Sequence, residues 1–308
     1  MDEASRAGLG RLLGSGVADA RSLGGSHGVL HYRLTLSDGR MAFAKIRNPN
    51  SSGNGAARPG VDRRAADLQR ASADPDGFAA EAAGLRWLGE AAAVPVPAVL
   101  AADAACLVVE WIRSGGPDTA AAARFGRDLA VMHAAGADQF GAPWPGVIAG
   151  LPLPNEQANR WPEWYATNRL LPYVRIASDA GYLTETDAAQ LESAAARCSV
   201  LAGPDEPPSR IHGDCWSGNV LWSGGRGWLI DPAAHGGHRE TDLAMLALFG
   251  APYLDRIMAG YTEVAPLAAG WRSRVPLHQL HPLLVHVCLF GTAYRDSAIS
   301  AARAVLAA

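Results

Sequence analysis

Two carboxylates and one amide stand at a spacing suited to handling a phosphate and its metal. They lie in IHGDCWSGNVLWSGGRGWLIDP, residues 211–232, where Asn219 follows Asp214 by five positions and Asp231 follows Asn219 by twelve. Asp231 closes the apolar run Trp228-Leu229-Ile230, as a strand end would. A carboxylate at 214 can accept the proton of an attacking hydroxyl and orient it, a task in which position counts for more than basicity. Oxygen donors at 219 and 231 suit magnesium, which keeps several waters and bridges phosphate oxygens. A transition-metal reading that adds His235 and His238 to Asp231 competes for the same carboxylate, and the glycines between the histidines leave that spacing loose.

A phosphate also needs a cation. Of the 27 lysines and arginines only Lys45 is a lysine. A lone ammonium in an arginine-rich chain marks a place where a compact charge serves and a planar guanidinium does not. Lys45 ends the run Met41-Ala42-Phe43-Ala44-Lys45-Ile46, which follows the alternating Val29–Leu36 across Ser37-Asp38-Gly39. Asp-Gly between two alternating runs predicts a hairpin. The glycine-rich Arg21–Gly28, with Gly24 and Gly25 at its centre, predicts a turn whose backbone could lie across phosphates. Asn48–Gly77 has no apolar period and predicts a long loop or insertion, at most with one short helix. The Ala-rich Phe78–Ala92 predicts a helix carrying Glu81 in its first turns. Val99–Ala102 and Cys106–Trp111 predict a further strand pair.

IRSGGP, residues 112–117, is the best boundary, dividing a strand-rich part (1–112) from a helical part (113–308). Helices are predicted beyond it at Thr119–Ala135, Trp161–Gly181, Leu183–Leu201 (capped by Thr184 with Asp187), Arg239–Phe249, Tyr253–Val264 and Leu277–Tyr294. The 308 residues, 49% hydrophobic and 19% charged, can bury a large core. A net charge of −3 gives no reason to expect nucleic acid as a partner. There is no apolar run long enough to span a membrane and no basic-then-apolar start, and four scattered cysteines read as reduced thiols, so a cytoplasmic protein is expected.

A strand Lys, a helix Glu, a linker, an Asp/Asn loop and a late Asp occur in the order of protein kinases, whose loop reads H-R-D-x-x-x-x-N. Beyond that order, HGDCWSGNVLW and LIDPAAHGGHRETDLAMLALFG, with WPEWYATNRLLPYV and FAAEAAGLRWL, closely resemble the fructosamine (ketosamine) kinase family from about Leu23 to Leu289. The broader HGDxxxxN pattern is shared with aminoglycoside phosphotransferases and choline kinases. The resemblance implies an α+β, two-lobed protein-kinase-like fold: a small antiparallel-sheet lobe with one helix, and a larger mainly helical lobe, with ATP and Mg2+ between them. It implies γ-phosphate transfer to the 3-hydroxyl of a ketosamine, free or attached to a protein amine, as a deglycation step.

Residue by residue, the resemblance makes Asp214 the base, Asn219 and Asp231 the metal ligands, and Lys45 the phosphate partner held by Glu81. Glu110, Trp111 and Ile112 would offer backbone groups to adenine. His212, as a neutral imidazole, and Asp242 would brace the loop, with Arg239 in a similar part. Trp216, two residues after the base, can pack beside a sugar; Trp161 lies on the helix that resembles the family's substrate side. The chain departs from the family at Cys215, where a Leu is expected, and at Ala234–His238, where a tyrosine-bearing run is expected. The alternatives are a kinase of another hydroxylated amine, aminoglycoside- or choline-like, and a non-catalytic kinase-like nucleotide-binding protein.

Overall fold

The computed structural model describes residues 1, 3–26, 28–48 and 77–308. Between Asn48 and Gly77 the expected insertion lies outside the described residues, as does His27 of the glycine-rich stretch.

The N-terminal part is one antiparallel sheet. After α1 (Glu3–Leu13), β1 (Val17–Ser26), β2 (Val29–Leu36), β3 (Met41–Arg47), β4 (Val99–Ala102) and β5 (Cys106–Glu110) assemble in the order β1-β2-β3-β5-β4. The Asp-Gly hairpin joins β2 to β3, with Gly39 at φ 85° and Lys45 opposite His31. The glycine-rich stretch differs from expectation: most of it is strand. β1 runs through Gly24 and Gly25 to Ser26 and pairs with β2, and the irregularity shrinks to a register shift between Ser22 and Gly24, where Gly24 takes φ 96°. Cross-strand pairing to β2 outweighs the turn tendency of the glycines.

One face of the sheet packs Leu34, Leu36, Ala42, Ala44 and Val108 with Leu9 of α1. The other packs Leu107 and Val109 against Phe78, Ala82 and Leu85 of α2 (Gly77–Glu90). Farther along α2, Leu88 joins a different cluster, with Phe125, Leu129, Val220, Trp222 and Leu229 of the helical part. Helix α2 is thus shared by both parts, so its Glu81 is held against the sheet and aimed at the junction.

The helical part begins with α3 (Thr119–Ala134), capped by Asp118 accepting from the Ala121 N–H. The hairpin β6–β7 (Gly146–Ile148, Leu151–Leu153) precedes α4 (Trp161–Tyr165), a π turn at Ala166–Leu170, and α5 (Leu171–Asp179). Then come α6 (Glu185–Ala196, with the Thr184/Asp187 capping box), α7 (Cys198–Leu201), β8 (Ser209–Ile211), β9 (Val220–Ser223), β10 (Arg226–Leu229) and β11 (His235–Gly237). Helices α8 (Glu240–Leu248), α9 (Leu254–Val264), α10 (Trp271–Phe290) and α11 (Arg295–Ala307) complete it. Helix α10 begins six residues before the expected Leu277 and contains Pro276 and Pro282; α11 has no counterpart among the sequence expectations.

Helices α3 and α9 cross with backbones touching. A Cβ on Gly126 would lie 2.0 Å from the Ile257 carbonyl oxygen, and one on Gly260 2.1 Å from that of Ala123. No described helix is long and apolar enough to cross a membrane. All four cysteines are buried and unpaired, as expected.

Candidate active site

Lys45 leaves β3 toward the junction of the two parts. Its Nζ donates to both carboxylate oxygens of Glu81 at 2.8 Å and lies 2.8 Å from Oδ1 of Asp231. Burial alone would depress its pKa, but the two carboxylates raise it, so the ammonium stays charged. Glu81 and Asp231, 36 and 186 positions from Lys45 in sequence, therefore meet it at one point. Asp231 takes φ 53°, a left-handed conformation rare outside glycine and tolerated best by Asp and Asn. Its side chain is 46% exposed.

The loop between β8 and β9 carries Asp214. Asn219 Nδ2 donates to the Asp214 backbone oxygen and to its Oδ2, both at 2.9 Å. That fixes the carboxylate and leaves Asn219 Oδ1 outside these bonds. Burial, with Asp231 and Asp242 nearby, pushes the Asp214 pKa up to about 7 against the Asn219 hydrogen bond. His212 Nε2 donates to the Ile230 oxygen at 2.9 Å and its Nδ1 accepts from the Asp214 N–H at 3.3 Å. Burial lowers its pKa, which favours the neutral imidazole.

Asp242, in the first turn of α8, is fully enclosed. Its Oδ2 accepts from the His212 N–H at 2.7 Å and its Oδ1 from the Gly213 N–H at 2.9 Å. Gly213 sits at φ 79° with the Ala233 carbonyl where a Cβ would be, so the loop can turn only with glycine there. Asp242 Oδ2 also accepts from His133 Nε2 at 3.2 Å, and Tyr261 Oη donates to His133 Nδ1 at 2.8 Å. Burial works against the Asp242 charge, but these bonds and the nearby imidazoles hold its pKa below the usual value. His133 and Tyr261 were not singled out from sequence as site residues; the available signal was a histidine on the apolar stripe of α3, where a polar ring needs a partner.

A family model for fructosamine kinases matches residues 68–308. The chain belongs to the fructosamine kinase family. The probable ketoamine kinase YniA of Escherichia coli is 34% identical over 220 residues, 70% of this chain and 76% of that one. The chloroplastic protein-ribulosamine 3-kinase of Arabidopsis thaliana is 32% identical over 243 residues, 74% and 72% of the two chains. A solved structure from Thermobifida fusca, a candidate fructosamine-3-kinase, superimposes with TM-score 0.89 at 48% identity over all of both chains. The gentamicin complex of APH(2″)-IIa, at 13% identity and TM-score 0.60 over 100% and 97% of the chains, shares the kinase-like fold.

Other expected residues of this fructosamine kinase family member fall in different places. Trp216 is 38% exposed, its ring lying over Gly218 and edge-on to Phe249 at 6.0 Å, so it is a surface ring two residues after Asp214. Trp161 is 4% exposed, packed on Tyr165, His238 and His278 at 4.6–4.9 Å; it is core, because the wet side of its helix is taken by Arg160 and Glu163. Arg239 braces, but not the catalytic loop: its guanidinium holds Glu206 at 2.6 and 2.7 Å and the Ala265 and Pro266 carbonyls. At the linker, the Glu110 N–H bonds to the Ala98 oxygen and the Trp111 N–H to the Met41 oxygen. Gly24 and Gly25 lie in β1 beside the turn into β2.

The alternative metal site does not form. Asp231 pairs with Lys45, while His235 Nδ1 donates to the Ala233 oxygen. Among the described residues His238, Glu240 and His278 do converge. However, Arg274 donates to both Glu240 oxygens at 2.6 and 2.9 Å, and the Glu240 N–H occupies Nδ1 of His238, placing that ring's proton on Nε2. A cation there would face a guanidinium and an N–H. The cluster is an ion-paired brace.

Proposed function

We propose that the protein is an ATP-dependent kinase that transfers the γ-phosphate to the 3-hydroxyl of a ketosamine, free or carried on a protein amine, a step of deglycation. The observation that carries this reading is the Asp214 carboxylate fixed by Asn219 on a braced loop, in a chain of the fructosamine kinase family that also holds Lys45, Glu81 and Asp231 together.

The substrate hydroxyl hydrogen-bonds to Asp214, which aligns the oxygen for in-line attack and takes its proton as the phosphoryl group leaves. Raising the Asp214 pKa to about 7 matches a base to neutral pH. Lys45, oriented by Glu81, meets the nucleotide phosphates, exchanging its contact with Asp231 for them. Asn219 Oδ1 and the Asp231 carboxylate are oxygen donors of the kind magnesium prefers, and they fit it as ligands. When bound, magnesium neutralises charge on the phosphates. Ile112 offers its N–H to adenine, and Trp216 offers a ring face to the sugar. The reading places the protein in the cytoplasm with no nucleic-acid or membrane partner, in keeping with its unpaired cysteines and mild net charge.

The test is phosphorylation of a panel of fructosamines, ribulosamines, aminoglycosides and choline by purified protein with ATP and magnesium. Turnover of the sugar amines, lost in Asp214→Asn with nucleotide binding retained, is the expected result. No turnover on any sugar amine, or turnover kept by Asp214→Asn, refutes it.

A further inference from the structure

Beneath the catalytic loop lies a small enclosed cavity of about 10 Å³, bordered by Trp164, Arg169, Gly213, His235, His238 and His281. A cavity of that size holds one water-sized particle. Its most unusual wall is Arg169, which is 1% exposed. The π turn at Ala166–Leu170 carries this side chain inward. The guanidinium donates to the Pro154 and Asn168 carbonyls and to Asn155 Oδ1, and it stacks over Trp164 at 4.3 Å. No carboxylate among the described residues forms an ion pair with it, and burial pushes its pKa down to about 10. A buried cation without a counterion is costly.

Two of the nitrogens buried around this cavity, Arg169 Nε and His281 Nε2, have no hydrogen-bond partner among the described residues, and the two residues are 1% and 3% exposed. The other histidines contribute no charge. His235 uses Nδ1–H on the Ala233 oxygen, and burial together with Arg169 lowers its pKa to about 3; His238 is likewise held neutral. The cavity is thus a positive pocket with an unused N–H on one wall.

We propose that a single water-sized hydrogen-bond acceptor, a water molecule or a small halide, is held between Arg169 Nε and His281 Nε2 directly under the catalytic loop. It joins the π turn to α10 at a cavity that the loop after β8, with Gly213, and β11, with His235, also border. A halide would also balance the guanidinium and would fix the His281 proton on Nε2; a water could take either His281 tautomer. The site does not depend on which alcohol is phosphorylated.

Crystals of the wild-type protein grown in sodium chloride, with data collected both at high resolution and at a long wavelength where chlorine scatters anomalously, test this directly. The expected result is a density peak at about 3 Å from both nitrogens. With an anomalous signal the occupant is chloride; without one it is water. Absence of a peak, or rotation of Arg169 and His281 so that protein atoms satisfy both nitrogens, overturns the proposal. Arg169→Met keeps bulk and removes the donor, and the peak should vanish in it. If that variant does not fold, the wild-type maps alone still decide.

Discussion

Replacing Asp242 by Asn separates the bracing of the catalytic loop from its chemistry, because Asp242 stands outside the cleft and fully enclosed. The carboxylate accepts three hydrogen bonds, from the His212 and Gly213 backbones and from His133. The amide keeps one acceptor oxygen and turns an NH2 group toward at least one of those donors. Each buried donor left unmatched costs about 1–3 kcal/mol, and loss of the negative charge weakens the bonds that remain. The sum is a loss of about 2–5 kcal/mol, which for a chain of this size lowers the melting temperature by roughly 3–8 °C. Asp214 is one residue beyond Gly213, so a repelled loop moves the base. A displacement near 1 Å can cost about 100-fold in rate. Steady-state phosphorylation of a fructosamine should show kcat down by that order. The KM for ATP should stay within about twofold, since Lys45 and Glu81 are untouched. A variant that melts within about one degree of wild type and keeps kcat within about threefold would refute the brace.

Other outcomes follow from the same geometry. Because Asp214 carries a pKa of about 7 when folded against 3.8 as a free side chain, the folded chain holds its proton longer, so this group's contribution to stability falls as pH rises from about 4 to about 7. Asp214→Asn should therefore be more stable than wild type at pH 8, by up to about 4 kcal/mol without ligands, and no more stable at pH 4; denaturant titrations at the two pH values check this. In the wild type, kcat/KM should fall as pH drops below about 7. Lys45→Arg spreads the charge over a plane that cannot sit at 2.8 Å from Glu81 and Asp231 in the same way; KM for ATP should rise about tenfold or more, equivalent to about 1.4 kcal/mol. Trp216→Ala should raise the ketosamine KM by about 2–12-fold, from a ring contact of about 0.5–1.5 kcal/mol, with Trp216→Phe recovering most of it and ATP affinity unmoved.

The proposed reacting residues were legible because the roles assigned to them fix their types and spacings. A loop that orients a hydroxyl, a strand lysine and a helix glutamate leave a pattern along the chain, and the fold brings Lys45, Glu81 and Asp231 into contact as that pattern requires. The supports were less legible. Asp242 was found through resemblance, but His133 reads as one more member of the α3 stripe with Phe125, Leu129 and Met132, and nothing local ties it to a tyrosine 128 residues away. Trp161 and Trp216 look alike in sequence; only packing makes one core and the other surface. Helix α10 starts at Trp271 and runs through Pro276 and Pro282, six residues earlier than the expected Leu277. That the sheet claims the N–H groups of Glu110 and Trp111 is a matter of pairing that residue types do not reveal.

The crossing of α3 and α9 bears on the proposed reaction although its two glycines carry no side chain. His133 rides on α3 and Tyr261 on α9, directly after Gly260, whose missing side chain lets the two backbones meet. The separation of the helices is therefore a fixed spacer that sets the length of the Tyr261–His133 hydrogen bond, and through Asp242 the height of the catalytic loop. A single methyl at position 126 or 260 would act as a wedge, parting the helices and detuning the base from the far side of the lobe. Two residues with no chemistry of their own thus calibrate the site, and variation at them would read out as altered turnover with every reacting group still in the chain.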